Sequence, residues 1–213
     1  MSPFPQQLVS GYRTFATQRL PTEQTRYREL SERGQAPEVM VIGCCDSRVS
    51  PEVIFDAGPG ELFIVRNVAN LVPPYAPDGE AHGVSAALEF AVQVLHVKHI
   101  VVLGHAQCGG IKALAQDAAP LSPGDFIGKW MSLLEPTVAE AARGPNEALQ
   151  EFITRLEKKA VTTSLRNLMT FPCIQILVDR GKLQLHGAYF GVARGSLSVL
   201  DEATGEFKPV ETT

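Results

Sequence analysis

The sequence predicts a single α/β domain, with a central, mostly parallel β-sheet flanked by helices and an N-terminal helical arm before it. Three observations carry this. Short continuous apolar runs recur at 39–44, 62–66 and 99–105, the pattern of strands covered on both faces. A helical pattern separates the second run from the third, as in a crossover between parallel strands. No linker, internal repeat or low-complexity segment divides the 213 residues, a length that buries a core without disulfides.

The elements follow in order. Residues 4–20 and 22–33 carry apolar positions at mixed three- and four-residue spacing, with Pro21 separating two helices and Gly34 as the stop. The expected division is an arm at 1–34 and an α/β domain at 35–213. Val39-Met40-Val41-Ile42-Gly43-Cys44 reads as the first strand and Leu62-Phe63-Ile64-Val65-Arg66 as the second. From His82 to Val97, Val84, Leu88, Ala91, Val92 and Leu95 share one helical face. His99 to His105 is the third strand. Residues 107–116 and 125–170 read as helical, interrupted at Pro136 and at Gly144-Pro145. Lys182–Val192 and Ser196–Leu200 alternate like late strands, the second turning at Thr204-Gly205.

Composition removes several classes of function. Hydrophobic residues at 45% and charged residues at 20% suit a folded chain and not a disordered one. A net charge of -4 without a basic run argues against a nucleic-acid partner. No stretch reaches the roughly 18 apolar residues of a membrane span. The opening MSPFPQQLVSGYRTF has no positive segment followed by an apolar one, so a cytoplasmic location is expected. In that compartment the four cysteines do not serve as disulfides. Cys173, between Pro172 and Ile174, reads as a small buried hydrophobe.

Ligands in open α/β sheets bind outside the carboxyl ends of the strands, and two polar clusters fall there. Cys44-Cys45-Asp46-Ser47-Arg48 follows the first strand, and Gly104-His105-Ala106-Gln107-Cys108-Gly109-Gly110 includes the end of the third. If the two-residue period persists, Cys44, Asp46 and Arg48 share a side and Cys45 points into packing. Exposed N–H groups at the start of the following helix favour a thiolate at Cys108. Two sulfurs and one imidazole make a soft three-ligand set suited to zinc, with a fourth tetrahedral position left for water. A structural zinc closes with four Cys or His ligands, so the missing fourth points to catalysis. A thiol nucleophile at Cys108 or Cys44 with His105 as base is the other reading of these residues, and it leaves one cysteine without a task. Phosphate-binding glycine motifs are absent from these turns.

Cys44-x-Asp46-Ser47-Arg48 together with His105-x-x-Cys108-Gly109-Gly110 resembles the β-class carbonic anhydrases. The run from Gly60 to Asn70 matches a second signature of that family, and Val72-Pro73-Pro74-Tyr75 with Glu151–Leu168 is similar to its plant-type branch. The resemblance extends from about Gln35 to Val199. It implies one zinc per chain held by Cys44, His105 and Cys108, with hydroxide in the fourth position attacking CO2. It also implies an arm that packs on a neighbouring subunit, in a homodimer or higher homo-oligomer. Asp46 would accept a hydrogen bond from the hydroxide and Arg48 would hold that carboxylate, roles that an acceptor-only group and a bidentate fork suit. Gln35, Phe63, Val68, Phe90 and the Gly109 N–H would line the pocket for CO2 or bicarbonate. Phe90 departs from the tyrosine usual in the plant-type branch, and Ala106 from the usual Ser or Thr.

Some members close their site by placing the aspartate on zinc, and carry a tryptophan near the end of the first strand. Val41 stands there and the only tryptophan is Trp130, so an open site is expected. Two thiolates leave the zinc site near neutral charge, less electrophilic than three histidines, so activity should rise through and above neutral pH. Tyr75 and His82 are candidate proton relays, neither singled out. Two other readings keep the zinc: hydrolysis of CS2 or COS on the same scaffold, and a non-catalytic structural-zinc module. The latter predicts an Asp46→Asn variant that behaves like wild type.

Overall fold

The computed structural model describes residues 4–116 and 125–212; the first three residues of the expected arm lie outside them. The chain forms two compact units that divide between Ala36 and Pro37. The first unit is helical: α1 (Gln6–Thr14), a π-helical turn (Phe15–Arg19) and α2 (Leu20–Arg33). Pro21 does not separate two helices as expected. It sits at the second position of α2, and the backbone runs helically from the π turn into α2, the N–H of Leu20 reaching back to the Phe15 carbonyl. Gly34 ends α2 in a positive-φ conformation (79°), and its N–H donates to the Leu30 carbonyl at 3.0 Å.

The second unit holds the sheet. Its strands are β1 (Val39–Cys44), β2 (Leu62–Asn67), β3 (His99–His105), β4 (Gln184–Gly191), β5 (Ser196–Asp201) and β6 (Glu206–Pro209), in the order β2-β1-β3-β4-β5-β6. The first four run parallel, while β4–β5 and β5–β6 are antiparallel. β6 was not expected from sequence, where the chain past Gly205 carries too few apolar residues to read as a strand. It forms because the turn at 201–205 returns it onto β5.

The helices are α3 (Pro51–Ile54), α4 (Gly83–Glu89) continued by a π turn (Phe90–Val94), α5 (Gly109–Ala115), α6 (Asp125–Met131), α7 (Glu135–Glu140), α8 (Leu149–Leu168) and α9 (Pro172–Asp179). The short α9, with Pro172 in its first turn, also escaped the sequence reading. Strand alternation sets the packing. Met40, Ile42, Ile100 and Val102 bury with Leu88, Val161, Leu168 and Ile174 on one face, and Val41 and Leu103 bury with Val49 and Ala188 on the other. Cys173 is only partly buried against the first of these clusters.

Close approach fixes α8 on the sheet. A Cβ on Gly104 of β3 would stand 2.5 Å from Val161 Cγ2. Since β2 lies on one side of β1 and β3 on the other, the chain reverses its direction across the sheet between β1 and β3. That crevice is where an open α/β sheet places a ligand site, and both polar clusters end there.

Candidate metal centre

Cys44 closes β1, His105 closes β3 and Cys108 caps the start of α5, and all three are buried. Their ligand atoms lie within 4.8 Å of one another. Among the described residues this is the only group of three or more Cys, His, Asp or Glu able to hold a metal ion. The His105 ring is 1% exposed, and its Nδ1 is 3.0 Å from the Ala106 carbonyl. That contact makes Nδ1 the protonated nitrogen and leaves Nε2 with a lone pair. Nε2 has no hydrogen-bond partner, which a buried polar atom rarely tolerates.

Sharing a proton with Cys108 pulls the Cys44 thiol far below its usual range, helped by the neighbouring His105 ring and then by main-chain N–H groups including that of Ala69 at 3.4 Å. The same sharing, together with burial, holds the proton on Cys108. One sulfur is thus poised as a thiolate, and a cation that replaced the shared proton would gain the second. The donor set and the orphaned imidazole nitrogen fit zinc.

The backbone around these ligands is held from several sides. Ala69 and Asn70 adopt left-handed conformations (φ 63° and 49°), which turn the Ala69 N–H toward Cys44. Ser164 of α8 accepts from the Val72 N–H at 3.2 Å and donates to the Asn70 carbonyl at 3.1 Å. Arg66 donates to the carbonyls of Cys44, Asp46 and Val49 at 2.7–2.8 Å, bracing the loop after β1. Trp130 donates to the Val68 carbonyl at 2.8 Å.

Asp46 and Arg48 meet in a bidentate pair: Nε to Oδ1 at 2.9 Å and Nη2 to Oδ2 at 2.7 Å. The Arg48 N–H adds a third bond to Oδ1 at 3.0 Å, and Nη2 also reaches the Gln107 carbonyl at 3.1 Å. The guanidinium hydrogen bonds hold the Asp46 carboxyl well below the ordinary carboxylate range, so it is ionised at neutral pH. Asp46 stands outside the three-residue metal cluster.

Cys45 departs from its expected place. β1 ends at Cys44, so the two-residue period stops there, and Cys45 is exposed. It lines a cavity of about 560 Å³ with Asn67, Val68, His82 and Trp130. Of the expected pocket residues, Val68 packs with Cys44 and Cys108, and Gly109 opens α5. Phe63 and Phe90 face each other with ring centres 5.9 Å apart, and Phe63 packs with the cluster under α4. Gln35 is exposed in the segment after α2. Of the candidate relays, His82 bonds Asp78 at 2.7 Å, and the Tyr75 ring stands on Phe171.

Sequence reasoning assigned no role to Arg66, Glu157 or Tyr189. The Glu157 carboxylate, 1% exposed, accepts from the Cys108 N–H at 3.0 Å and from the Tyr189 hydroxyl at 2.7 Å. A signal was present, since Glu157 interrupts the buried stripe Ile153, Leu156, Ala160 and Val161 of α8.

A mostly parallel sheet with a buried Cys-His-Cys cluster at its switch point defines an α/β protein with a candidate metal site, and comparison with known proteins narrows the class. The carbonic anhydrase family profile matches residues 39–197. A carbonic anhydrase of Pseudomonas aeruginosa is 37% identical over 205 residues, 94% of this chain and 89% of the relative. Beta carbonic anhydrase 3 of Arabidopsis thaliana is also 37% identical, over 91% of this chain and 76% of its own. Among solved structures, the β-carbonic anhydrase CcaA superposes with a TM-score of 0.85 at 28% identity, covering 96% of this chain and 98% of that one. One of two β-carbonic anhydrases of Sordaria macrospora described as tetrameric gives 0.75 at 30% identity, over 92% and 95%. The chain belongs to the β-carbonic anhydrase family, and is by that membership an enzyme of the lyase class.

Proposed function

We propose that this protein catalyses the reversible hydration of CO2 to bicarbonate and a proton, with one zinc per chain held by Cys44, His105 and Cys108. The observation that carries the reading is the partnerless, buried Nε2 of His105 beside two sulfurs, with the Asp46–Arg48 pair next to them in sequence and space. Zinc bound there would lower the pKa of water and so supply a nucleophile near neutral pH.

The chain's own residues do the rest. Asp46, ionised and acceptor-only, would accept a hydrogen bond from the nucleophile, which keeps its proton and has its lone pair turned toward carbon. Arg48 fixes both carboxylate oxygens, keeping Asp46 aimed at that task and off the metal. Val68 supplies an apolar wall, and Gly109 opens a helix whose first N–H groups have no intrahelical acceptor. Phe63 and Phe90 complete the proposed pocket. Phe90 and Val94 are 42% and 58% exposed, an apolar strip that supports assembly into a homodimer or larger homo-oligomer with the helical arm on a neighbour. The four free cysteines accord with a reducing, cytoplasmic location.

Stopped-flow CO2 hydration at pH 8.5 on metal-analysed protein, beside Asp46→Ala, tests the proposal. We expect about one zinc per chain and a rate rising from pH 6 to 9. The variant should keep its zinc and lose on the order of 100-fold in rate. Zinc without hydration would overturn the reading and direct the assay to CS2 and COS. A variant as fast as wild type would remove Asp46 from the mechanism.

A further inference from the structure

We propose that Glu157 is a positioning residue for the metal-ligand loop, acting through the Gln107–Cys108 peptide group on Arg48 and hence on Asp46; the inference rests on the function proposed above. That peptide is held at both ends. Its N–H, on Cys108, donates to Glu157 Oε1 at 3.0 Å, and its oxygen, on Gln107, accepts from Arg48 Nη2 at 3.1 Å. The same Nη2 bonds Asp46 Oδ2 at 2.7 Å. An unbroken path therefore runs from a carboxylate inside α8 to the carboxylate beside the metal ligands, through a single amide plane.

Two features show that this amide needs holding. Gln107 lies in the left-handed region at φ 58°, which a non-glycine residue keeps only where its surroundings impose it. The peptide also belongs to the loop that sets the position of Cys108, so any tilt moves a ligand and the Arg48 anchor together. Glu157 is itself rigid. Its second oxygen accepts from Tyr189 of β4, and the helix carrying it is locked on β3 by the contact of Gly104 with Val161. A polar carboxyl group at 1% exposure within an apolar stripe costs the fold burial energy that leucine would not, so its hydrogen bonds to Cys108 and Tyr189 are its reason for being there.

The test uses the full-length zinc protein with Glu157→Gln, which keeps an acceptor for the Cys108 N–H, and Glu157→Leu, which does not. Each is made alone and with Arg48→Ala. The readings are kcat and KM separately, zinc per chain, and the rate of zinc loss to a chelator. Glu157→Leu should lower kcat about tenfold or more with KM within about twofold, and should speed zinc loss. Glu157→Gln should recover most of both. In the Arg48→Ala background, Glu157→Leu should cost less than about twofold further, because both residues act on one peptide.

Multiplying losses in the double variant would overturn the proposal, as would a Gln variant no better than Leu. If Glu157→Leu fails to fold, Tyr189→Phe tests the same path by freeing the second oxygen. It should lower kcat by about two- to fivefold, and an unchanged kcat would count against the path. Were wild-type zinc protein unable to hydrate CO2, the proposed function would fall. The zinc-loss rates would still decide whether Glu157 holds the Cys108 loop.

Discussion

β3 carries a histidine at each end, and the two differ in the partners their rings find. His99 and His105 are six residues apart on one strand and so share its face. At the amino end, His99 Nδ1 is 3.1 Å from Nε2 of His186, and the half-buried rings lie 5.3 Å apart. There each ring finds a partner in the other. At the carboxyl end, His105 spends Nδ1 on a main-chain carbonyl and leaves Nε2 buried, partnerless and beside two sulfurs. Residue type and strand face are shared, so neither by itself distinguishes a ligand from a packed histidine. A buried ring nitrogen left without a partner does.

The contrast can be broken most directly by deleting each ring. His105→Ala should lose zinc and reduce hydration by more than about 100-fold, while His99→Ala keeps its metal and stays within about twofold. Metal analysis with stopped-flow kinetics reads both, and equal zinc loss in the two variants would end the distinction.

A smaller effect is expected between the two ends, at Gly104. Adding a methyl group 2.5 Å from Val161 Cγ2 should destabilise the protein by about 1–3 kcal/mol in urea unfolding. Val161→Ala in the same chain should return part of that loss. Unchanged stability in Gly104→Ala would mean that α8 is not pinned to β3 at this point.

The smallest effect concerns pH. Burial, and next the neighbouring His99, lower the pKa of His186 in the fold. Its native pKa lies below its unfolded value of about 6.5, so its stabilising contribution is complete above that pH. It is lost as the pH falls toward and through the native value. His186→Gln should therefore show a smaller drop in Tm between pH 7 and pH 5 than the wild type. An identical drop would show that the amino-end pair does not sense pH.

How much of this was legible in the sequence depends on the range of the interaction. β1 and β3 coincide with the expected runs, because a strand buried on both faces writes itself as contiguous apolar residues. The helix after β2 begins at Gly83 and buries Leu88, Ala91 and Val92, three of the five positions on the expected face. Pro21 was misread, since a proline in the first helical turn and one between helices look alike in sequence. Cys45 was misread because alternation holds only while the strand lasts, and β1 stops one residue earlier. Glu157 has its hydrogen-bond partners 49 and 32 residues away, beyond any local pattern.

The mostly parallel sheet and the two polar clusters at strand ends can be read along the chain alone. Both follow from local periodicity and from the chemistry of two sulfurs, an imidazole and an Asp-x-Arg spacing. That β1 and β3 lie side by side, that His105 keeps a partnerless nitrogen and that α8 brings a carboxyl group to the Cys108 N–H are not written in any local stretch. Those are consequences of packing, in which the position of each group depends on neighbours far away in the chain.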